Sequence, residues 1–190
     1  MSEQPIEINN FSLICRLFGN LFYRQPQDSV LTSALQWIKQ GGVRSVWALV
    51  LDQQSEVAMM NLQSNWTIEQ LAEDYQHLQE SVDFHLSAYD IAVADFVQFR
   101  QERAMPALEN PDHIALLLLT ASWIEDQTGS LTAQQAFFQT FLLPCMGRFL
   151  GQVEAHAKTG FYRSLAQLCR DLLAAMADEL EEEEQNQVVE

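Results

Sequence analysis

Apolar residues recur at three- and four-residue intervals along nearly the whole chain, which is the spacing of one face of an α-helix. No segment shows the alternation of apolar and polar residues that is typical of a half-buried strand, and no internal repeat is present. The pattern therefore predicts an all-α fold, a multi-helix bundle. The first amphipathic stripe consists of Phe11, Ile14, Leu17, Phe18, Leu21 and Phe22.

Turn and capping residues divide these stripes into separate helices. Thr67 and Gln70 have the spacing of a capping box, so a helix is expected to begin there. Val43 to Leu62 is expected to be helical, although its apolar residues between 46 and 51 could also form a short strand. Thr132 is expected to cap a later helix, and Pro144 to break or bend that helix.

Residues 106–111 are expected to connect two helical halves of a single domain that spans residues 1–180. Asn110 is a candidate cap, and Pro111 a candidate first residue, of the helix that follows. That helix is apolar on most sides and should be the most buried element. The acidic segment 181–190 is expected to form a flexible tail.

The charge balance limits the possible partners. The chain has 26 Asp and Glu against 10 Lys and Arg, a formal charge of −16, which repels phosphate backbones and anionic headgroups. Nucleic acid is therefore not an expected partner. Membrane insertion is not expected either, because the most apolar run, Ile114 to Ala121, is far shorter than the ~20 residues of a membrane span. Met1 to Asn10 is polar and resembles no export signal, so a cytoplasmic location is expected.

The three cysteines, Cys15, Cys145 and Cys169, are an odd number without close spacing. This excludes a fully paired disulfide framework and a Cys-x-x-Cys zinc pattern. Each lies in an apolar helical stretch, so each is expected to be a small buried hydrophobe in a reducing compartment.

A search for catalytic patterns finds no phosphate-binding loop, no nucleophile elbow and no His-Glu-x-x-His pair. We therefore predict no catalytic residue, no cofactor and no metal site. One alternative is a helical metal-dependent hydrolase centred on Asp112 and His113, but no further ligands of such a site are evident.

The segment Glu109-Asn110-Pro111-Asp112-His113 concentrates polar residues where the connector enters the apolar helix. A carboxylate in a first helical turn complements the helix dipole by roughly 0.3–1 kcal/mol, which explains Asp112 as a cap. Capping does not explain an adjacent histidine and glutamate at a hinge, where loops commonly carry function. Local capping and a binding site both remain open for this segment.

Residues 109–114 resemble the Glu-Pro-x-Asp-His signature of the TorD/DmsD family of redox-enzyme maturation chaperones. Residues 15–23, 116–125, 142–150 and 161–165 resemble other family segments in the same order. The resemblance implies about ten helices and a chaperone that is not an enzyme. Its implied client is a redox or molybdoenzyme, bound through its twin-arginine leader or its apo-enzyme body, for cofactor insertion and export proofreading.

The resemblance also implies a binding surface. A twin-arginine leader presents two arginines before an apolar stretch, so its receptor is expected to place carboxylates beside an apolar groove. For Tyr75 and Leu78, ordinary core packing is an equally open interpretation. The implied client-binding residues are Asp112, His113, Glu109, Pro111, Tyr75 and Leu78.

A departure from the family pattern concerns the client. After Leu78, the family's Phe-x-Gly and Pro-Pro-x-x-Ser stretch is replaced by residues 79–85, which predicts a shorter loop and a different client. Residues 122–127 and the acidic tail resemble the YcdY-like branch, which implies a chaperone of a cytoplasmic zinc enzyme as an alternative. Guanine nucleotide binding, known for some relatives, has no phosphate-cradling loop to support it here. The connector also predicts either a monomer or a homodimer formed by exchange of halves.

Overall fold

The computed structural model describes residues 10–188, with side chains to residue 186. Within this range the chain is helical and has no β-strand, so the predicted all-α class is confirmed. Residues 1–9, which include most of the polar N-terminus, lie outside the described range. The helices are α1 (Asn10–Tyr23), α2 (Thr32–Lys39), α3 (Gly42–Val46), α4 (Gln53–Gln63), α5 (Ile68–Ser81), α6 (Val93–Glu102), α7 (Leu116–Gln127), α8 (Leu131–Phe137), α9 (Leu143–His156) and α10 (Gly160–Val188).

The start of α5 is the capping box that the sequence predicts. The Thr67 hydroxyl accepts from the Gln70 N–H at 3.3 Å, and the Gln70 side chain accepts from the Thr67 N–H at 3.0 Å. Both bonds join residues three apart, so local sequence was enough to predict them.

The single helix expected over Val43 to Leu62 is instead two helices separated by residues 47–52. The reason is Asp52, whose carboxylate accepts from both the N–H and the hydroxyl of Ser55, at 2.8 and 2.6 Å. These bonds cap a new helix start, and the preceding residues are left extended.

The second half also departs from the expected boundaries. Ser130, and not Thr132, caps α8 by accepting from the Ala133 N–H at 3.3 Å. The break expected at Pro144 is a π-helical turn over Phe138–Leu142 that comes just before it. Pro144 itself lies in the first turn of α9, directly after the π-helical turn, and because it has no N–H it cannot donate to a carbonyl of that turn.

The helices before and after the connector share one hydrophobic core. Helix α1 packs along α7, and α10 packs against both α4 and α9. Gly19 allows the close approach of α1 to α7, because a Cβ at this position would lie 2.8 Å from Leu119 Cδ2. As predicted, α7 is deeply buried; its buried residues are Leu116, Leu117, Leu118, Thr120, Ala121, Ser122 and Ile124.

The acidic run 178–184 lies in the C-terminal part of α10, where Leu180 is buried and the residues from 181 to 186 are exposed. Flexibility of residues 181–190 stays a prediction. Between residues 10 and 188, no helix has the length and apolarity needed to cross a bilayer.

The three cysteines are free and buried, as expected. Burial raises the pKa of the Cys145 thiol to about 12, so it stays protonated at neutral pH.

Candidate functional site

The connector between α6 and α7 has no regular secondary structure over most of its length, and α7 begins only at Leu116. The prediction that Asn110 caps this helix and Pro111 opens it is therefore wrong. The cause is tertiary, because the Ile114 N–H donates to the Phe84 carbonyl at 2.7 Å and holds the connector against residues 82–89.

Asp112 lies outside the first turn of α7 and fastens the connector to a different element. Its Oδ1 accepts from the Ser87 N–H at 3.1 Å, and its Oδ2 accepts from the Ser87 hydroxyl at 2.8 Å. Ser87 lies in a short 3-10 helix, Leu86–Tyr89. The local capping interpretation of Asp112 is therefore wrong, because α7 has no side-chain cap and the Asp112 carboxylate binds a residue 25 positions earlier in the sequence.

His113 is half-buried between two aromatic rings. Its ring centroid lies 4.8 Å from that of Tyr23 and 5.6 Å from that of Phe84. Burial, helped by the nearby His85 and opposed by Asp112, lowers the pKa of His113 to about 4, so the ring is neutral at neutral pH. Its Nδ1 accepts from the Ala115 N–H at 3.2 Å, so the neutral ring carries its proton on Nε2.

A groove of about 870 Å³ lies between the end of α1, one face of α5 and the connector. We call it the α1–α5 groove. Of the residues predicted to bind a client, Tyr75 and His113 line it. Its full lining is Tyr23, Arg24, Gln25, Gln27, Asp28, Ala72, Tyr75, Gln76, Gln79, Asn110 and His113.

The other predicted residues lie elsewhere. Leu78 is 0% exposed and belongs to the core, as its alternative interpretation allowed. Glu109 is exposed outside the groove lining. Pro111 lines a smaller pocket on the other side of the connector, and Asp112 is bound to Ser87 behind the lining residues Asn110 and His113.

The groove is mainly lined by neutral hydrogen-bonding groups. Asp28 is the single carboxylate in its lining, and it already pairs with Arg24 at 2.9 Å. The expected set of carboxylates beside an apolar groove is therefore not what this lining provides. Its amide side chains are those of Gln25, Gln27, Gln76, Gln79 and Asn110.

Tyr75 forms part of the wall with little surface of its own, since it is 6% exposed. Its hydroxyl donates to the Phe22 carbonyl at 3.1 Å and so joins α5 to the end of α1. Burial raises the pKa of this phenol to about 12, which keeps the donor protonated.

Sequence reasoning missed most of the lining. Ala72, Gln76 and Gln79 lie four and three residues apart on α5, on the same face as Tyr75. A stripe of small and amide side chains at helical spacing was a usable signal, but a solvated helix face has the same pattern.

The described part of the chain offers no group of three or more His, Cys, Asp or Glu side chains able to hold a metal ion. His85 is paired with Asp83 at 2.8 Å, and Asp112 with Ser87. The hydrolase alternative, which requires further ligands around Asp112 and His113, therefore lacks its donor set among residues 10–188.

The fold is an all-helical bundle with an open groove between α1, α5 and the connector. No family model matches the chain. It is 56% identical over 186 residues to a protein of Haemophilus influenzae described as uncharacterized, covering 96% of this chain and 100% of that one. It is 40% identical to the chaperone protein YcdY of Escherichia coli over 93% of this chain and 98% of the relative.

A more distant relative, 26% identical over 85% of this chain and 87% of its own length, is a probable Tat proofreading chaperone DmsD of Haemophilus influenzae. The chain belongs to the TorD/DmsD family, in its YcdY-like branch. The named relatives are chaperones and not enzymes, in agreement with the prediction for this chain.

Proposed function

We propose that this protein is a cytoplasmic maturation chaperone that binds a client redox enzyme through the α1–α5 groove and assists its cofactor insertion and export proofreading. The client segment is its twin-arginine leader or its apo-enzyme body. One observation carries the proposal: the family-like motif residue His113 and the α5 residue Tyr75 line the same open groove of about 870 Å³. Chaperone relatives that match nearly the whole chain support it.

The lining suits an extended polypeptide. Side-chain amides both donate and accept, so the glutamines can satisfy the N–H and C=O groups of a bound backbone. An incoming arginine would compete with Arg24 for Asp28, whose pKa is lowered by the Val30 N–H and by Arg24. Asp28 is thus ionised at neutral pH and available for such an exchange.

The second candidate is the same chaperone activity toward a cytoplasmic zinc enzyme. The 40% identity to YcdY, against 26% to the DmsD protein, favours it. The single paired carboxylate in the groove also favours an enzyme body over an arginine-rich leader.

A titration with a labelled synthetic peptide tests the groove. The peptide carries two arginines followed by an apolar stretch, and fluorescence anisotropy reports its binding to the full chain. Ala72→Trp places an indole in the lining and is expected to weaken binding about tenfold or more, since the bulk excludes the peptide. Ala94→Trp, at an exposed position of α6 outside the lining, is the matched control.

Equal peptide affinities for the Ala72→Trp and Ala94→Trp variants would contradict the proposed groove. The two client types are separated by a second assay, in which zinc is returned to a zinc-stripped cytoplasmic enzyme. A chain that ignores the peptide but raises the yield of active zinc enzyme would favour the second candidate.

We further propose that the chain is a monomer or a homodimer formed by exchange of α7–α10 through the connector. Since α1 packs along α7, an exchanged half could re-form the same contact with its partner copy. Light scattering over a concentration series is expected to show either one monomeric species or a slowly exchanging dimer. Rapid, concentration-dependent association would argue against exchanged halves.

A further inference from the structure

The connector also lines a second pocket, whose walls are mostly apolar, unlike those of the α1–α5 groove. A pocket of about 210 Å³ lies between α6 and residues 105–111. Met105 in its wall is 7% exposed. Most of the walls are apolar, and the complete lining is Val97, Arg100, Gln101, Met105, Pro106, Ala107, Leu108 and Pro111.

Arg100 is the charged group of this pocket, and it is 8% exposed. One terminal nitrogen, Nη1, donates to the Thr120 hydroxyl at 2.6 Å, and the other, Nη2, donates to the Pro106 carbonyl at 2.9 Å. The guanidinium carbon lies 5.8 Å from the centre of the Phe96 ring. All of these neighbours are neutral.

No carboxylate of the described chain comes within ion-pair distance of Arg100, which distinguishes it from most other arginines. Six arginines pair with an aspartate or glutamate, and the seventh, Arg163, is exposed. The six pairs are Arg16 with Asp126, Arg24 with Asp28, Arg44 with Glu56, Arg103 with Glu102, Arg148 with Asp90 and Arg170 with Glu154.

Burying a cation without a countercharge is unfavourable in free energy, because hydrogen bonds to neutral acceptors offset only part of its lost hydration. Burial accordingly lowers the pKa of Arg100 from its ordinary value, although a guanidinium stays charged at neutral pH. This chain has 26 acidic residues, yet none of the described ones supplies the missing charge. The guanidinium has five N–H bonds, and its two hydrogen bonds leave donors for a further acceptor.

We propose that this pocket binds a carboxylate carried on a short apolar chain, with the carboxylate paired to Arg100 and the chain against Val97, Met105 and Leu108. Arginine and carboxylate are complementary in charge and in planar geometry. The ligand removes the unpaired charge, and the apolar walls bury its hydrocarbon part. The source of the carboxylate is either a small acid or the C-terminal end of a polypeptide.

Isothermal titration of the full chain with hexanoate, and with its neutral isostere hexanamide, tests the proposal. Hexanoate is expected to bind about tenfold or more tightly than hexanamide, since only the acid supplies the countercharge. Equal affinities, or no binding of hexanoate, would overturn the proposal.

Variants locate the binding. Arg100→Met keeps a long side chain without charge and should abolish the preference for hexanoate. Because this variant also loses the bonds to Thr120 and Pro106 and is at risk of misfolding, Ala107→Trp provides an independent test. Ala107 is an exposed residue of the pocket lining, so an indole there should block hexanoate binding. Ala94→Trp is the control, and unchanged hexanoate affinity in Ala107→Trp would refute this location.

A pentapeptide ending in leucine, with a free or an amidated C-terminus, identifies the source. Tighter binding of the free-carboxylate peptide than of hexanoate assigns the pocket to polypeptide ends, and weaker binding assigns it to small acids. A free peptide that binds no better than its amide rules out polypeptide ends as the source.

Discussion

Two carboxylates, Asp74 of α5 and Asp112 of the connector, accept the same kinds of hydrogen bond in opposite surroundings. Asp74 accepts from the N–H groups of Lys158 and Thr159, at 2.9 and 2.7 Å, and from the Thr159 hydroxyl at 2.5 Å. Asp112 accepts from the N–H and the hydroxyl of Ser87. Asp74 is 1% exposed, whereas Asp112 is half-exposed beside the α1–α5 groove.

The difference shows why hydrogen bonds alone do not identify a functional carboxylate. Asp74, itself in the core, holds the residues just before α10, and its sequence neighbour Tyr75 lines the groove on another face of α5. Asp112 holds a short helix at the surface, next to the groove residue His113. Burial and the adjoining surface, and not bonding, separate a structural role from a site-shaping one.

The largest expected effect is that of Asp74→Ala. The change leaves two N–H groups and a hydroxyl at the start of α10 without their acceptor in the core, so the free energy of unfolding should fall by about 2–4 kcal/mol. Urea unfolding monitored by circular dichroism measures it. A loss of stability no larger than that caused by Asp112→Ala would contradict the proposed difference between the two carboxylates.

Asp112→Ala should have a smaller effect on stability, about 1 kcal/mol, because water can replace the carboxylate at a half-exposed position. It should also weaken binding of the twin-arginine peptide, since the connector that carries His113 loses its bonds to Ser87. Anisotropy titration measures the affinity. Ser87→Ala removes only the hydroxyl bond and should reproduce part of both effects.

The free energy of unfolding is expected to depend on pH through His113, which lines the α1–α5 groove. Its pKa is about 4 when folded and about 6.5 when unfolded, so the unfolded chain binds the additional proton below about pH 6.5. The stability that this depressed pKa contributes is fully present above pH 6.5 and is lost as the pH falls toward 4. Urea unfolding measures the free energy of unfolding at each pH. The His113→Gln variant should not show the fall between pH 6.5 and 4 that comes from His113, whereas the control variant His156→Gln, changed at an exposed position, should still show it.

The smallest effect is expected for Glu109→Gln. Glu109 is exposed and lies outside the groove lining, so stability should change by less than about 0.5 kcal/mol and peptide affinity should stay the same. A clear loss of peptide binding would extend the site beyond the groove and restore the role that the family resemblance implies for this residue.

Features encoded by neighbouring residues were predicted from the sequence. The capping box of Thr67 and Gln70 joins residues three apart, and the apolar periodicity of α1 and α5 gave helices where they were expected. The start of α7 was not predicted, because the Ile114 N–H bonds to Phe84 thirty residues earlier. Local signals at Asn110 and Pro111 were overridden by this tertiary contact.

The sequence by itself determined the all-helical class, the buried free cysteines and the position of the motif at 109–113. Helical periodicity and local motifs depend only on residues that are close in sequence. Only the tertiary structure decided which motif residues reach the groove. His113 lines it and Asp112 binds Ser87, since the partners of both come from segments that packing brings together. The missing countercharge of Arg100 is likewise visible only in the folded chain, where this arginine is buried, bonds neutral acceptors and pairs with no described carboxylate.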